Sequence, residues 1–330
     1  MTGMLWTLLI AYGLTFVALR LLLGCGWAGY LAIDTPNVRS LHSSPIPRVG
    51  GLVMIPVALA SALISSQPPP LLLALAAGLC AVSFIDDRWG LPVFLRLVAH
   101  ALAVIVLCRS FEPSLSTLAF ALAVVTVIWS VNLFNFMDGS DGLAGGMALF
   151  GFSAFGLTML DAMPAMAYLA FSLVAAAAGF LMLNFSPARV FMGDAGSVPL
   201  GFLAGGIGLT GWLQNAWPAW FPLLVFSPFV ADASVTLMKR LFRGEKFWQA
   251  HRDHYYQRLV RMGWSHRRLA LAEYALMAAC GASALIMLQG GFEFQMLGLA
   301  LWIAAYSGLM LFIDGRWAKS AASRGGRHET

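Results

Sequence analysis

The sequence predicts an all-α polytopic integral membrane protein with about 11 transmembrane helices. Three observations predict it. Of 330 residues, 60% are hydrophobic and only 11% charged, with mean hydropathy +0.79, whereas soluble domains carry about 25% charged residues. The apolar residues come in runs of bilayer length, and a span needs ~20 of them. The basic residues gather on one side of the connections between runs, as in inner-membrane proteins.

The runs are approximately 4–24, 51–66, 70–86, 92–109, 117–133, 144–160, 165–183, 198–214, 219–238, 269–289 and 294–314. Each is expected to be helical, because a bilayer leaves no other partner for backbone N–H and C=O groups. Links such as Ser66-Gln67-Pro68-Pro69-Pro70 and Asp161-Ala162-Met163-Pro164 are short and proline-marked, so they reverse the chain. In the first run Arg20 stands at the far end, the wrong polarity for a cleaved secretory signal, so a retained helix is expected.

Segments 33–51, 86–91, 134–146, 184–198, 239–268 and the tail after Asp314 lie on one side. They and the adjoining helix ends hold nearly every arginine and lysine; only Arg109 falls on the other side. The N-terminus is therefore expected outside, the C-terminus in the cytoplasm, and the active site on the cytoplasmic face. Residues 1–314 form one catalytic transmembrane domain, and 315–330 a disordered cytoplasmic tail. The net charge of +5 is a topological signal that suits a lipid bilayer and phosphates and gives no support for nucleic acid. Cys25, Cys80, Cys108 and Cys280 are scattered without CxxC spacing and read as buried apolar residues.

The chemistry gathers in the loops of that one face. Asn132 to Gly146 reads NLFNFMDGSDGLAGG, between two apolar runs. Asp138 and Asp141 each precede glycine, and Asn132 and Asn135 stand before them. A carboxylate at bilayer depth costs ~2.5–3.5 kcal/mol, so these belong at a membrane face or in a cavity. A single Asp-Gly would suffice for a turn; two, with two amides, exceed that need. The loop Asp34–Gly51 supplies Arg39, His42 and Arg48 as donors for an anion, and Gly50-Gly51 would let backbone approach a ligand. Asp86-Asp87 ends the third run, where adjacent carboxylates repel unless a cation offsets them. Asp194 precedes a helix in NFSPARVFMGDAGSVPLGF, which starts at Asn184, and a helix start suits phosphate oxygens. His251, Arg252 and His254 stand at the centre of the longest polar loop. The two histidines lack the further ligands of a zinc site and suit diphosphate. Asp232 lies within the ninth run and is a functional candidate or a helix–helix hydrogen bond.

Asp86, Asp87, Asp138, Asp141 and Asp194 share one face. Hard oxygen ligands favour Mg²⁺, with Mn²⁺ as the alternative, and nearby arginine and histidine favour phosphate. Phosphoryl transfer between a lipid and a cytosolic nucleotide fits. A secondary transporter using membrane-face carboxylates is the alternative, although no internal repeat is evident; a non-catalytic scaffold of a glycan assembly complex is a further one.

The blocks DTPNVRSLHSSPIPRVGG, FIDDR, NLFNFMDGSDGLAGG, NFSPARVFMGDAGSVPLGF and AHRDHYYQRL occur in that order. In them the chain resembles the polyprenyl-phosphate N-acetylhexosamine-1-phosphate transferases (glycosyltransferase family 4), nearest the O-antigen-initiating branch. The resemblance implies a bacterial inner-membrane enzyme that transfers HexNAc-1-phosphate from a UDP-HexNAc of the FucNAc, QuiNAc or GlcNAc class to undecaprenyl phosphate. UMP is released and lipopolysaccharide or other surface polysaccharide synthesis begins. It implies Asp194 as principal Mg²⁺ ligand with Asp87, and Asp86 and Asp87 as the pair handling lipid phosphate, proton or metal. Direct attack and a covalent intermediate both remain open. It implies a nucleotide pocket of Asn135 and Asp138 with Asp141 beside them, Phe191 near the uracil, and His251 and His254 on the diphosphate. Asn132, Asn184, Arg48, His42 and Arg252 complete the expected substrate-binding set. Arg252, Asp253 and Gly90 depart from the peptidoglycan-initiating branch and argue against its UDP-MurNAc-pentapeptide donor. A homodimer is compatible with all of this.

Overall fold

The computed structural model describes residues 2–36, 41, 44–111, 115–246 and 251–325. Its helices in chain order are α1 (Thr2–Gly24), α2 (Trp27–Leu31), α3 (Gly50–Ser66), α4 (Pro70–Trp89), α5 (Val93–Arg109), α6 (Thr117–Met137) and α7 (Leu143–Met159). There follow α8 (Pro164–Asn184), α9 (Asp194–Leu213), α10 (Trp220–Val225), α11 (Ser227–Phe242), α12 (Tyr255–Arg261), α13 (His266–Leu288) and α14 (Phe292–Gly325). Each expected apolar run coincides with helix. Seven of these helices, α1, α4, α6, α8, α9, α13 and α14, are long and apolar enough to cross a membrane. At 17 residues, α3, α5 and α7 are shorter. The protein is an all-helical polytopic membrane protein.

The fold departs from expectation in three places. The ninth run is broken into α10 and α11 around Phe226. Pro228 lacks the N–H that would continue the helix, and Ser227 Oγ donates to the Leu224 carbonyl (2.7 Å) and lies 2.8 Å from Tyr306 Oη on α14. The first polar loop carries two short strands, β1 (Ile33–Asp34) and β2 (Ile46–Pro47), paired antiparallel with Ile33 opposite Pro47. The tail expected to be disordered is helical to Gly325 as a continuation of α14. Ala318, Ala321 and Ala322, with Arg316 and Lys319, are strong helix formers with no breaker before the final glycines.

The core is a bundle in which α8 packs on α1, α3 and α7, while α9 packs on α4 and α6. Lipid tails offer helices no hydrophobic drive to associate, so close approach of small residues has to supply it. At the α3–α9 crossing a Cβ on Gly51 would collide with the Gly196 backbone. The N–H groups of Gly50 and Gly51 donate to the carbonyls of Phe191 (2.9 Å) and Met192 (2.8 Å). Gly50-Gly51 thus lets backbone meet backbone, which corrects the expectation that it approaches a ligand. The crossing ties the start of α3 to the loop before α9. The ends of α4, α6 and α9, which carry the aspartates, converge beside it.

Candidate active site

The convergence begins with Asp87, near the end of α4. Its Oδ2 accepts the Ala195 N–H (3.0 Å) in the first turn of α9, where the helix dipole favours negative charge. A Cβ on Gly193 would lie 2.7 Å from that same oxygen, and Gly193 has φ +73°, so only glycine fits between Asp87 and Asp194. Arg48 braces the pair, with its Nη2 donating to the Asp87 carbonyl (2.8 Å) and its Nε 3.5 Å from Oδ1. Asp86 accepts the Leu91 N–H (2.6 Å) and Arg96 Nη1 (3.0 Å). The same Arg96 nitrogen lies 3.9 Å from Asp194 Oδ2. From α6, Asn135 Nδ2 donates to Asp194 Oδ1 (2.9 Å) and to Ser197 Oγ (3.2 Å). Asp138 follows one turn later. Burial, then the neighbouring Asp194, Asp87 and Asp34, push its carboxyl well above the usual range.

A polar cavity of about 260 Å³ opens over this floor. Asp34, Leu41, Arg48, Asp138, Asp141 and Asn184 line it with Phe191, Asp194, Gln257 and His266. Its second half is built by bonds between loops. Asp141 Oδ2 accepts the Ala188 N–H (3.1 Å), and Asn184 joins the Gly142 N–H (2.9 Å) to the Val190 carbonyl (2.9 Å). Two tyrosines clamp the Asn132–Gly146 stretch from behind. Tyr256 Oη donates to the Phe136 carbonyl (3.1 Å), and Tyr274 Oη to the Gly142 carbonyl (2.8 Å). A Cβ on Gly139 would strike the Tyr256 hydroxyl. That glycine makes room for a tyrosine as well as for a turn.

Six expected residues therefore share the cavity wall: Arg48, Asp138, Asp141, Asn184, Phe191 and Asp194. Asp87 and Asn135 bond to lining residues, Arg48 and Asp194 respectively, and Asp86 lies behind them on Arg96. Asn132 lies about one turn deeper on α6, and its Nδ2 donates to the Ile128 carbonyl of its own helix (2.8 Å). His42 falls outside the described residues. Neither His251 nor His254 is among the cavity-lining residues. The His254 side chain is 4% exposed. Its Nδ1 lies 3.1 Å from Asp232 Oδ1, and its ring is 4.9 Å from that of His251 and 6.1 Å from that of Phe136. Asp232 also accepts the N–H groups of Tyr255 and Tyr256 (2.9 Å each), so it anchors the start of α12. Burial, with His254 and Arg240 nearby, pulls the His251 imidazole down to about 4. The Arg252 carbonyl accepts Arg261 Nη1 (2.9 Å). Asp34, Ser140, Gln257 and His266 are cavity residues that the sequence reading did not single out.

Among the described residues no three His, Cys, Asp or Glu side chains form a metal-ligating group. Mg²⁺ needs less from a protein. It is commonly held by one or two carboxylates, with water and substrate phosphates completing its shell. Asp87, on the Ala195 N–H, and Asp194, on the Asn135 amide, are the residues that would supply such oxygens.

The helical membrane fold thus holds a polar cavity lined by Asp34, Asp138, Asp141 and Asp194. Residues 70–211 match the model of glycosyl transferase family 4. The chain is 30% identical to the decaprenyl-phosphate N-acetylglucosaminephosphotransferase of Mycolicibacterium smegmatis, over 84% of this chain and 82% of the relative. It is 29% identical to the undecaprenyl-phosphate alpha-N-acetylglucosaminyl 1-phosphate transferase of Escherichia coli, over 76% of each. It is 25% identical to a probable undecaprenyl-phosphate N-acetylglucosaminyl 1-phosphate transferase of Bacillus subtilis, over 78% of this chain and 77% of the relative. The chain belongs to glycosyl transferase family 4, in the group of polyprenyl-phosphate sugar-1-phosphate transferases, and is an enzyme. Membership displaces the transporter and scaffold readings.

Proposed function

We propose that the protein transfers a HexNAc-1-phosphate from a UDP-HexNAc to undecaprenyl phosphate at the cytoplasmic face of a bacterial inner membrane. UMP is released and a lipid-linked surface polysaccharide is begun. The observation that carries this is that Asp194 of α9 lines the cavity with Asp138 from the end of α6, while Asp87 of α4 is held directly behind it on the Ala195 N–H. Family relatives named for the same reaction class support it.

In direct attack, an oxygen of the lipid phosphate bonds to the β-phosphorus of the donor. The bond from that phosphorus to the bridging oxygen breaks, and UMP leaves with the electron pair. Mg²⁺ held by Asp194 and Asp87 would neutralise the diphosphate oxygens as charge shifts to the leaving group. Arg48 and Arg96, set against Asp87 and Asp86, orient those carboxylates and attract the lipid phosphate. Asp86 or Asp87 takes its proton when the phosphate arrives protonated. Asn135 fixes the Asp194 carboxylate. Phe191, Asp141 and Asn184 shape the nucleoside end. An apolar groove of about 330 Å³ between α6, α9 and α10, lined by Trp129, Phe134 and Trp212, offers room for a prenyl chain.

The topology that serves this chemistry has the N-terminus outside, the C-terminus inside and eleven crossings, with α10 and α11 as one broken span. The donor is a UDP-HexNAc of the FucNAc, QuiNAc or GlcNAc class; the first and last resemblance blocks favour the 6-deoxy sugars, and the relatives' names favour GlcNAc. Purified protein is expected to release UMP from one of these donors only with both undecaprenyl phosphate and Mg²⁺ present. Release that is independent of the lipid phosphate would contradict the assignment.

A further inference from the structure

One imidazole on the cavity wall is unused by the phosphate chemistry. His266 is the first residue of α13, held there by Ser265, whose Oγ accepts the Arg268 N–H (3.2 Å). Its side chain is 21% exposed, and it shares the wall with Asp141, Asn184 and Phe191. Nδ1 lies 2.7 Å from Ser140 Oγ and 3.9 Å from Asp141 Oδ1, while Nε2 lies 3.4 Å from the Leu41 carbonyl. A carbonyl can only accept, so in the neutral ring Nε2 carries the hydrogen and Nδ1 accepts from the Ser140 hydroxyl. The Ser140 bond is short and fixes one edge of the ring. The Leu41 bond is at the long limit of a hydrogen bond, so among the described residues the other edge is a weakly engaged donor.

We propose that His266 is a nucleotide-binding residue whose Nε2–H grips the nucleoside of the sugar nucleotide. This rests on the transferase reading. The diphosphate belongs to the Asp87–Asp194 end, so the half of the cavity walled by Asp141, Asn184 and His266 receives what lies beyond it. Base carbonyls and ribose hydroxyls are the acceptors such a donor recognises, and Phe191 offers a ring for the base. The sugar is expected on the Arg48 side.

The test is steady-state kinetics of the full-length protein with UMP as product inhibitor. His266→Ala is expected to raise the donor KM and the UMP inhibition constant together, by roughly 5- to 10-fold for one lost neutral hydrogen bond, with kcat within about 3-fold of wild type. Gln places its amide nitrogen near the Nε2 position and Asn near Nδ1. His266→Gln is therefore expected to recover donor affinity and His266→Asn not to. Recovery by Asn would show a mere brace for Ser140 and overturn the proposal, as would failure of Gln to recover. A raised donor KM with an unmoved UMP constant would put His266 on the sugar and also overturn it. Should the alanine protein not fold, the Gln and Asn pair carries the test. A wild type that neither turns over nor binds UMP overturns the transferase reading itself, and this proposal with it.

Discussion

The aspartate floor and the histidine segment handle charge in opposite ways. On the floor, among the described residues, the four carboxyl groups of Asp86, Asp87, Asp138 and Asp194 have two arginines, Arg48 and Arg96, against them, so acidic groups outnumber basic ones in a partly buried place. In the histidine segment Asp232, Glu245, Asp253 and Asp314 each meet a basic side chain. Asp232 meets His254; Asp253 and Glu245 share Arg240; Asp314 holds Lys239 and Arg258. Surplus charge is what a bound cation and a diphosphate would offset, whereas balanced charge fixes a shape. The floor is thus read as the reacting end, and the segment as a wall that presents Gln257 and holds the Asp138–Gly139 turn through Tyr256.

That contrast breaks first at Asp87. Asp87→Asn is expected to lower kcat by at least about 10³-fold, the scale of losing a group used in the transition state. A loss below 10-fold in a UMP-release assay would move Asp87 to the balanced class. Asp232→Ala is the counterpart on the other side. It strands the N–H groups of Tyr255 and Tyr256 and the His254 ring, and each buried unpaired donor costs ~1–3 kcal/mol. A clear fall in thermal midpoint in detergent is expected, with activity reduced in step; lost activity at an unchanged midpoint would make Asp232 part of the floor. Gly139→Ala is expected to destabilise by ~1–3 kcal/mol through overpacking on Tyr256, and Tyr256→Phe in the same chain to recover part of it by removing the struck oxygen.

The smallest effect is at His251. Its folded value of about 4 lies below the usual imidazole range near 6.5, so the unfolded chain binds the extra proton more readily. The stability this contributes is present above pH 6.5 and is lost as pH falls toward 4. His251→Asn should flatten the acid limb of thermal stability and leave it unchanged above pH 7.

Much of this contrast was legible from the chain. The apolar runs located every long helix, since bilayer-length hydrophobicity is a local property. Asp86, Asp87, Asp138 and Asp194 stood out because carboxylates in such a sequence need a reason. The division of labour was not legible. His251 and His254 look like ligands until Asp232, in a different helix, is seen to take His254. His266 looks like one more polar residue at a helix start until Ser140, 126 residues earlier, is placed against it. The Asp-Gly pairs of Asn132–Gly146 read as more than a turn requires, yet the partner at Gly139 is a tyrosine from α12. Pairings across the fold leave no trace in local periodicity; the break at Phe226, by contrast, goes with Pro228, which the sequence shows.

The central claim is that Asp87 and Asp194 share one magnesium ion where the donor reacts. The direct measurement is UMP release by purified wild-type and Asp194→Asn protein, stripped with chelator and then titrated with Mg²⁺ in the presence of UDP-HexNAc and undecaprenyl phosphate. Wild-type activity is expected to return with Mg²⁺, and the folded variant to stay inactive at every concentration. Full activity of the variant, or wild-type turnover undiminished by the chelator, would contradict the account.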